Sequence, residues 1–438
     1  MNLFEQNQIP VMQLKRSLSL VDLVVYGVGV IIGAGIYVLI GSAAGLAGNF
    51  LWLSFIFGAL IAIFTGLSYA ELSSVYSKEA AEYFFIKEIF KSRFLAFLTG
   101  WLVVSAQVVG ISAVALGFSS YFNYFFHFNP LLIASLLIFF LNIANYLGIE
   151  LSSKVNFFLT GVAVLGLLVI IAFFFSQPSF DLKLVSPEIS VTGIFEAAVL
   201  VFFAYIGFEG IVNLAEETKN PNKNIPRALV LSIAITSLIY IMIGLVSVST
   251  IDYKTLAGSN APLSLVASRL MGDIGSYLIT FAALLSTAST VLILSIVSSR
   301  ILWGMARDNS LPKILSKIDK HTKTPHFSIF TVTLISILLV MLLGKIEVIA
   351  EISTFNMLVV YFLINFSLIW FRLVLKKVGK FKSPLNLGKV PLTPIFGTLT
   401  ISILFTFITR LSLIVGIIGL CFGVILYLIV NAKRVSHF

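Results

Sequence analysis

Long uncharged, apolar stretches alternate with short charged ones along the chain. Between Asp22 and Glu71 there is no Asp, Glu, Lys or Arg, and between Arg93 and Glu150 there is none either. A membrane-crossing helix needs about 20 apolar residues, so each of these gaps holds two crossings. Further uncharged runs occupy 155–180, 228–251, 274–299, 324–344, 352–371, 390–409 and 411–432, and a run near 193–215 is interrupted only by Glu196 and Glu209. The pattern predicts twelve helices, near 20–45, 50–70, 94–122, 131–148, 155–176, 193–215, 226–249, 274–302, 326–344, 348–372, 391–409 and 411–430. A bilayer offers backbone groups no partner, so spans are helices or a closed barrel, and continuous runs of this length fit helices.

Composition sharpens this into an all-α integral membrane protein. Of the 438 residues, 59% are hydrophobic and 11% charged, with a mean hydropathy of +1.05, against about a quarter charged in soluble proteins. That excludes a water-soluble fold. The single cysteine, Cys421, excludes a disulfide framework and a cysteine-built metal site. The net charge of +10 is explained by topology. With the N-terminus inside, 24 of the 29 Lys and Arg fall on the cytoplasmic side, and only Lys183, Lys254, Arg269, Lys345 and Arg410 fall outside. The basic excess therefore meets anionic membrane lipid, and no nucleic-acid partner is expected. The first apolar segment follows Lys15-Arg16 and is too long for a signal peptide, so it is read as the first span, after a cytoplasmic tail over 1–19. A second cytoplasmic tail is expected over 431–438.

Two spans carry more than an anchor needs. The first contains Gly27, Gly29, Gly33 and Gly35, and each glycine weakens a helix by about 1 kcal/mol relative to alanine. Gly33-Ala34-Gly35 is its weakest point. A dinucleotide fingerprint is excluded, because the stretch lies inside a membrane-length run and no acidic residue follows about 20 positions on. Close helix packing through small residues is the alternative reading here, and the preferred one for Gly41-Ser-Ala-Ala-Gly45. The sixth span contains Phe203-Ala204-Tyr205-Ile206-Gly207-Phe208-Glu209-Gly210, with glycines on both sides of a deep carboxylate. An ionised acid at such depth costs about 2.5–3.5 kcal/mol on insertion scales and so faces a cavity or a partner. Glu196, one turn from the outer end, reaches the interface. Glu209 either caps the amides of a helix that restarts at this glycine pair or serves gating and proton or charge sensing.

Two interrupted helices suggest a ligand. The first span runs outward, ending its first half in carbonyls near Ile31-Ile32 and starting its second with free amides near Ala34-Gly35. The sixth runs inward, leaving carbonyls near Phe203, Ala204 and Ile206. Amides on one side and carbonyls on the other match the carboxylate and ammonium of an amino acid zwitterion. The first and sixth spans are the ones expected to break if helices one to five and six to ten form inverted repeats.

At these residues the chain resembles the amino acid-polyamine-organocation superfamily. Phe202-Phe-Ala-Tyr-Ile-Gly-Phe-Glu209, Ala215-Glu-Glu217-Thr-Lys-Asn220-Pro221 and Asn224-Ile-Pro226-Arg227 resemble its helix-six signature. Gly33-Ala-Gly-Ile36 resembles the family's Gly-Ser/Thr-Gly-Ile/Phe, and Tyr69-Ala-Glu71-Leu with Tyr83 its first cytoplasmic loop. Ser286-Thr-Ala-Ser-Thr290 through Arg307-Asp-Asn-Ser-Leu-Pro312 resembles helix eight and its exit. The similarity covers roughly 15–372 and is strongest to prokaryotic relatives of cationic amino acid transporters. It implies a leucine-transporter-type fold in the cytoplasmic membrane, with repeats over 20–176 and 177–372, two added helices over 373–430, and alternating access. It also implies a substrate site at Ile31, Gly33, Ala34, Gly35, Phe203, Ala204, Ile206 and Gly207, with Phe203 or Tyr205 as an aromatic lid.

The chain departs from the family in two places. Ala34 stands where many relatives have Ser or Thr, removing a hydroxyl contact to the carboxylate. Aligning Val155-Asn156 with the family's fifth helix puts Ala163 where proton-coupled relatives carry lysine, and Lys154 is a membrane-end anchor. The candidate couplings are a proton on Glu209, a sodium ion held by first-span carbonyls and hydroxyls such as Ser286 or Ser289, or exchange without a coupling ion. No cofactor, catalytic residue or metal site is expected, since His127, His321, His326 and His437 fall in loops or the tail without paired ligand spacing. The rival readings are a carrier of an unrelated solute such as a nucleobase, an exchanger, and a receptor that binds an amino acid without moving it.

Overall fold

A computed structural model describes residues 18–76, 81–148, 153–178, 181–184, 190–215 and 217–435. Most of the predicted N-terminal tail and the last residues of the C-terminal one lie outside them. The first span consists of two helices, α1 (Leu20–Ile31) and α2 (Ala34–Ala47), and after one tight turn α3 (Leu51–Ser73) follows. Next come α4 (Ala81–Phe90), α5 (Arg93–Phe122), α6 (Pro130–Tyr146) and α7 (Ser153–Phe175). The second half runs through α8 (Val191–Phe202), α9 (Pro221–Thr250), α10 (Tyr253–Ala257), α11 (Pro262–Arg307), α12 (His326–Leu343) and α13 (Ile346–Leu373). A two-residue hairpin, β1 (Asn386–Leu387) with β2 (Val390–Pro391), leads into α14 (Leu392–Phe405) and α15 (Arg410–Val435). Among the described residues, nine helical stretches are long and apolar enough to cross a membrane, with α2 and α3 counted as one, and α1, α6 and α14 are shorter apolar helices.

Local chemistry sets the ends. Ser19 and Asp22 form a reciprocal cap at the start of α1, the Ser19 amide donating to Asp22 Oδ2 at 2.8 Å. Asn129 caps α6 ahead of Pro130, and Gly344, at φ +61°, ends α12 so that the chain can reverse into α13. Burial sorts the helices. In its most apolar stretch α13 is 72% buried and α5 67%, whereas α15 is 11% buried and α7 22%. The first pair therefore forms the centre of the bundle and the second presents apolar side chains outward, as a protein dissolved in lipid must. The α1–α2 and α8 segments sit against α9, α3 and α11, inside that centre.

Three features depart from the hydropathy pattern. The eighth predicted span, 274–302, is the second part of α11, which begins at Pro262 and kinks at Gly272, whose φ of +68° with ψ of −159° favours glycine. Helix α4 falls between the second and third predicted spans: it is too short and too charged to register as a span, yet it buries Phe85, Ile86 and Ile89. Arg372, one of the 24 cations assigned to the cytoplasmic side, is buried, with its guanidinium on Glu71, Ser383 and Asn386.

Candidate functional site

Both glycine-rich spans lose their helical hydrogen bonds near mid-length. Helix α1 stops at Ile31, Ile32 leaves the helical region (φ −76°, ψ 68°), and α2 restarts at Ala34. Helix α8 stops at Phe202, and Phe203–Tyr205 and Phe208–Leu214 follow as tight 3₁₀ turns around Gly207 at φ +122°. Side chains other than glycine rarely adopt that conformation. The two breaks touch. A Cβ on Gly35 would lie 2.6 Å from Ala204 Cα, and one on Gly207 would lie 3.0 Å from Val30 Cγ1. Only glycine permits such an approach of backbone to backbone at Gly35.

Neighbouring hydroxyls and one carboxylate occupy many of the free backbone groups. Tyr240 Oη, from α9, lies 2.8 Å from the Ile31 carbonyl and 3.0 Å from that of Ala204. A hydroxyl has one proton, so it donates to one of the two carbonyls at a time and leaves the other free to accept. Thr290 Oγ1, from α11, accepts from the Ala34 amide at 3.3 Å. The Phe203 carbonyl accepts from the Ile206 amide at 3.3 Å. Glu209 Oε2 accepts from the Gly207 amide at 3.0 Å and from Tyr361 Oη at 2.7 Å, so the carboxylate does cap its own broken segment.

A cavity of about 780 Å³ opens beside the breaks. Ile31, Gly33, Ala34, Gly35, Phe203, Ala204, Ile206, Gly207, Glu209, Ser286 and Ser289 all line it. Tyr205 is not brought there. Its ring is wholly buried against Gly58 and its hydroxyl donates to the Phe55 carbonyl at 2.9 Å, so of the two expected lid residues Phe203 is the one that lines the cavity. Ala163 also lies elsewhere, its carbonyl accepting from Tyr37 Oη at 2.5 Å. Along α11 the lining runs from Ser286 to Met305, about 28 Å at 1.5 Å per residue. Its far end is charged, with Glu82, Lys87, Glu217, Arg300 and Asp308. There Lys87 pairs with Asp308 at 3.7 Å and Tyr83 Oη donates to Asp308 at 2.7 Å. Burial, aided by Asp308, pushes the Tyr83 hydroxyl up to about 12.

Sequence reasoning missed Tyr240, Tyr361, Glu82 and Gln107, all at or beside the cavity, and gave Thr290 no role. With 40 Phe, 14 Tyr and 4 Trp in the chain, a tyrosine within a span carries no signal of direction. Glu82 was detectable as an acid close to Tyr83, but not as a buried one.

Comparison with known proteins now bears on this arrangement. The family model described as amino acid permease matches residues 18–433. The chain is 29% identical to the branched-chain amino acid permease BcaP of Bacillus subtilis (strain 168), over 96% of this chain and 94% of that one. It is 30% identical to the methylthioribose transporter of the same organism, over 71% and 72% of the two chains. To the vacuolar cationic amino acid transporter 2 of Arabidopsis thaliana it is 32% identical, over 72% of this chain and 53% of that one. The chain thus belongs to the amino acid permease family of the amino acid-polyamine-organocation superfamily, as a multi-pass membrane transport protein and not an enzyme.

Proposed function

We propose that this protein is a secondary active amino acid permease of the cytoplasmic membrane. It has twelve spans, two inverted five-helix repeats over 20–176 and 177–372, and both termini in the cytoplasm. The zwitterion binds between the two breaks. Its ammonium lies against the carbonyls of Ile31, Phe203, Ala204 and Ile206, and its carboxylate against the start of α2 at Ala34 and Gly35. Alternating access carries it across as the repeats rock around this point. The observation that carries the reading is the contact of two broken helices at a cavity, with the Ile31 and Ala204 carbonyls brought to one hydroxyl. The Ala34 amide already has a hydroxyl partner in Thr290, whose own proton goes to the Ser286 carbonyl, so Gly35 is the freer carboxylate donor.

The test is a thermal-shift screen of the twenty amino acids, followed by counterflow of the stabilising ones in proteoliposomes. Stabilisation and counterflow are expected for at least one amino acid, and both should be lost in Gly35→Val; loss of folding in that variant would instead assign Gly35 to helix packing. Stabilisation by methylthioribose or nucleobases and by no amino acid would favour a carrier of another solute, in keeping with the relative named for methylthioribose. Binding without counterflow would make the protein a receptor.

A further inference from the structure

Glu82 has no part in the zwitterion site, yet it is 6% exposed and lines the same cavity, among the charged residues of its far end. It sits in the first turn of α4, a helix outside the membrane-length stretches. Among the described residues its carboxylate accepts from Tyr69 Oη at 3.2 Å. The Tyr69 ring packs edge-on against Tyr361 at 6.0 Å, and Tyr361 Oη holds Glu209. Two buried acids thus stand on either side of an aromatic pair at the wall of one cavity.

The charges around Glu82 do not neutralise it. On α4 itself, Lys87 is drawn to Asp308 and over the Tyr83 ring, and Glu88 to Lys91. Helix α5 brings Arg93 at its start; α13 brings Tyr361 and the Glu71-bound Arg372; α1 brings Tyr26; α11 brings Arg300; and the broken segment brings Glu209 and Glu217. Lys78 and Glu79 lie outside the described residues. Among the described residues no Lys or Arg pairs with Glu82. A carboxylate buried without a cation is relieved by binding a proton.

We propose, on the transport reading above, that Glu82 is the proton-binding residue that couples substrate movement to a proton, replacing the lysine that this chain lacks at Ala163. Glu82 and Glu209 repel as anions across Tyr69 and Tyr361, so a proton on one eases ionisation of the other. Burial first, and the Glu209 carboxylate second, push the Glu82 carboxyl up to about 7. It therefore holds its proton below about pH 7 and releases it above.

The experiment uses the full chain in proteoliposomes with a labelled mixture of the twenty amino acids and an internal pH dye. Counterflow reports exchange, and the dye reports protons moved with substrate. Wild type is expected to move protons with substrate, Glu82→Gln to lose at least ten-fold of that proton flux per substrate, and Glu82→Asp to retain it. Tyr69→Phe keeps the ring packing but removes the donor that favours the Glu82 anion, so its pH midpoint should move to higher pH. An unchanged proton flux in Glu82→Gln, an unmoved midpoint in Tyr69→Phe, or a wild type that exchanges amino acids with no proton flux would each overturn the proposal. If wild type gives no counterflow at all, the transport reading fails instead.

Discussion

Glu71 and Glu82 lie on either side of the connection from α3 to α4, and both are buried, at 0% and 6% exposure. Their partners differ in kind. Glu71 accepts from the Arg372 guanidinium, at 2.7 Å from Nε, and from the Ser383 amide at 2.8 Å. That fork ties the end of α3 to the end of α13 and to the strap that leads into the hairpin. Among the described residues Glu82 accepts from the Tyr69 hydroxyl, and Glu209 from the Tyr361 hydroxyl and the Gly207 amide, all neutral donors. A cation-locked acid is half of a fastening that holds backbone in place, whereas an acid held by neutral donors is not committed to a counter-charge. Burial alone does not separate a fastener from a functional group; the charge of the partner does. The cavity supports the division, since Glu82 and Glu209 line it and Glu71 and Arg372 do not.

The largest effect is expected from breaking the fastener. Arg372→Met leaves Glu71 buried without its cation and should cost about 3–5 kcal/mol, read as a lowered thermal midpoint in detergent. Adding Glu71→Leu removes the stranded charge and should recover most of the loss, because the penalty lies in the unpaired anion. Equal midpoints for wild type and Arg372→Met would erase the contrast between the two acids.

The sequence foretold the spans better than their fastenings, and the reason is physical. Lipid forbids charge over some twenty residues, so α5, α9 and α13 stand out as uncharged runs. The breaks at Gly33 and Gly207 were visible because glycine weakens a helix wherever it sits. The pairing of Arg372 was illegible because a cation at a span's end looks the same whether it meets water, lipid or a buried glutamate. Helix α4 escaped notice because one buried face over ten residues is no membrane signal. Tyr240 and Thr290 were illegible as site residues because which way a hydroxyl points on a helix depends on packing that hydropathy does not encode.

A smaller loss is expected at Tyr361. Tyr361→Phe keeps the ring against Phe208, at 5.1 Å between centroids, and against Tyr69. It removes one of the two donors to Glu209 Oε2. The cost should be about 1.5 kcal/mol, well under that of Arg372→Met. Thermal unfolding of the two variants side by side measures the difference, and equal losses would mean that Glu209 depends on its partner as strongly as Glu71 does.

The smallest change in stability, with a clear change in function, is expected from Glu209→Gln. The amide oxygen still accepts from the Gly207 N–H and from Tyr361 Oη, so the broken segment keeps its cap and stability should fall by less than about 1 kcal/mol. The variant has no charge at any pH. If the Glu209 charge sets the response of transport to pH, uptake at alkaline pH should approach the acid-side value and the pH profile should flatten. An unchanged profile at several pH values would assign Glu209 to capping alone. The sensing role would then rest on Glu82, whose variants report proton flux independently.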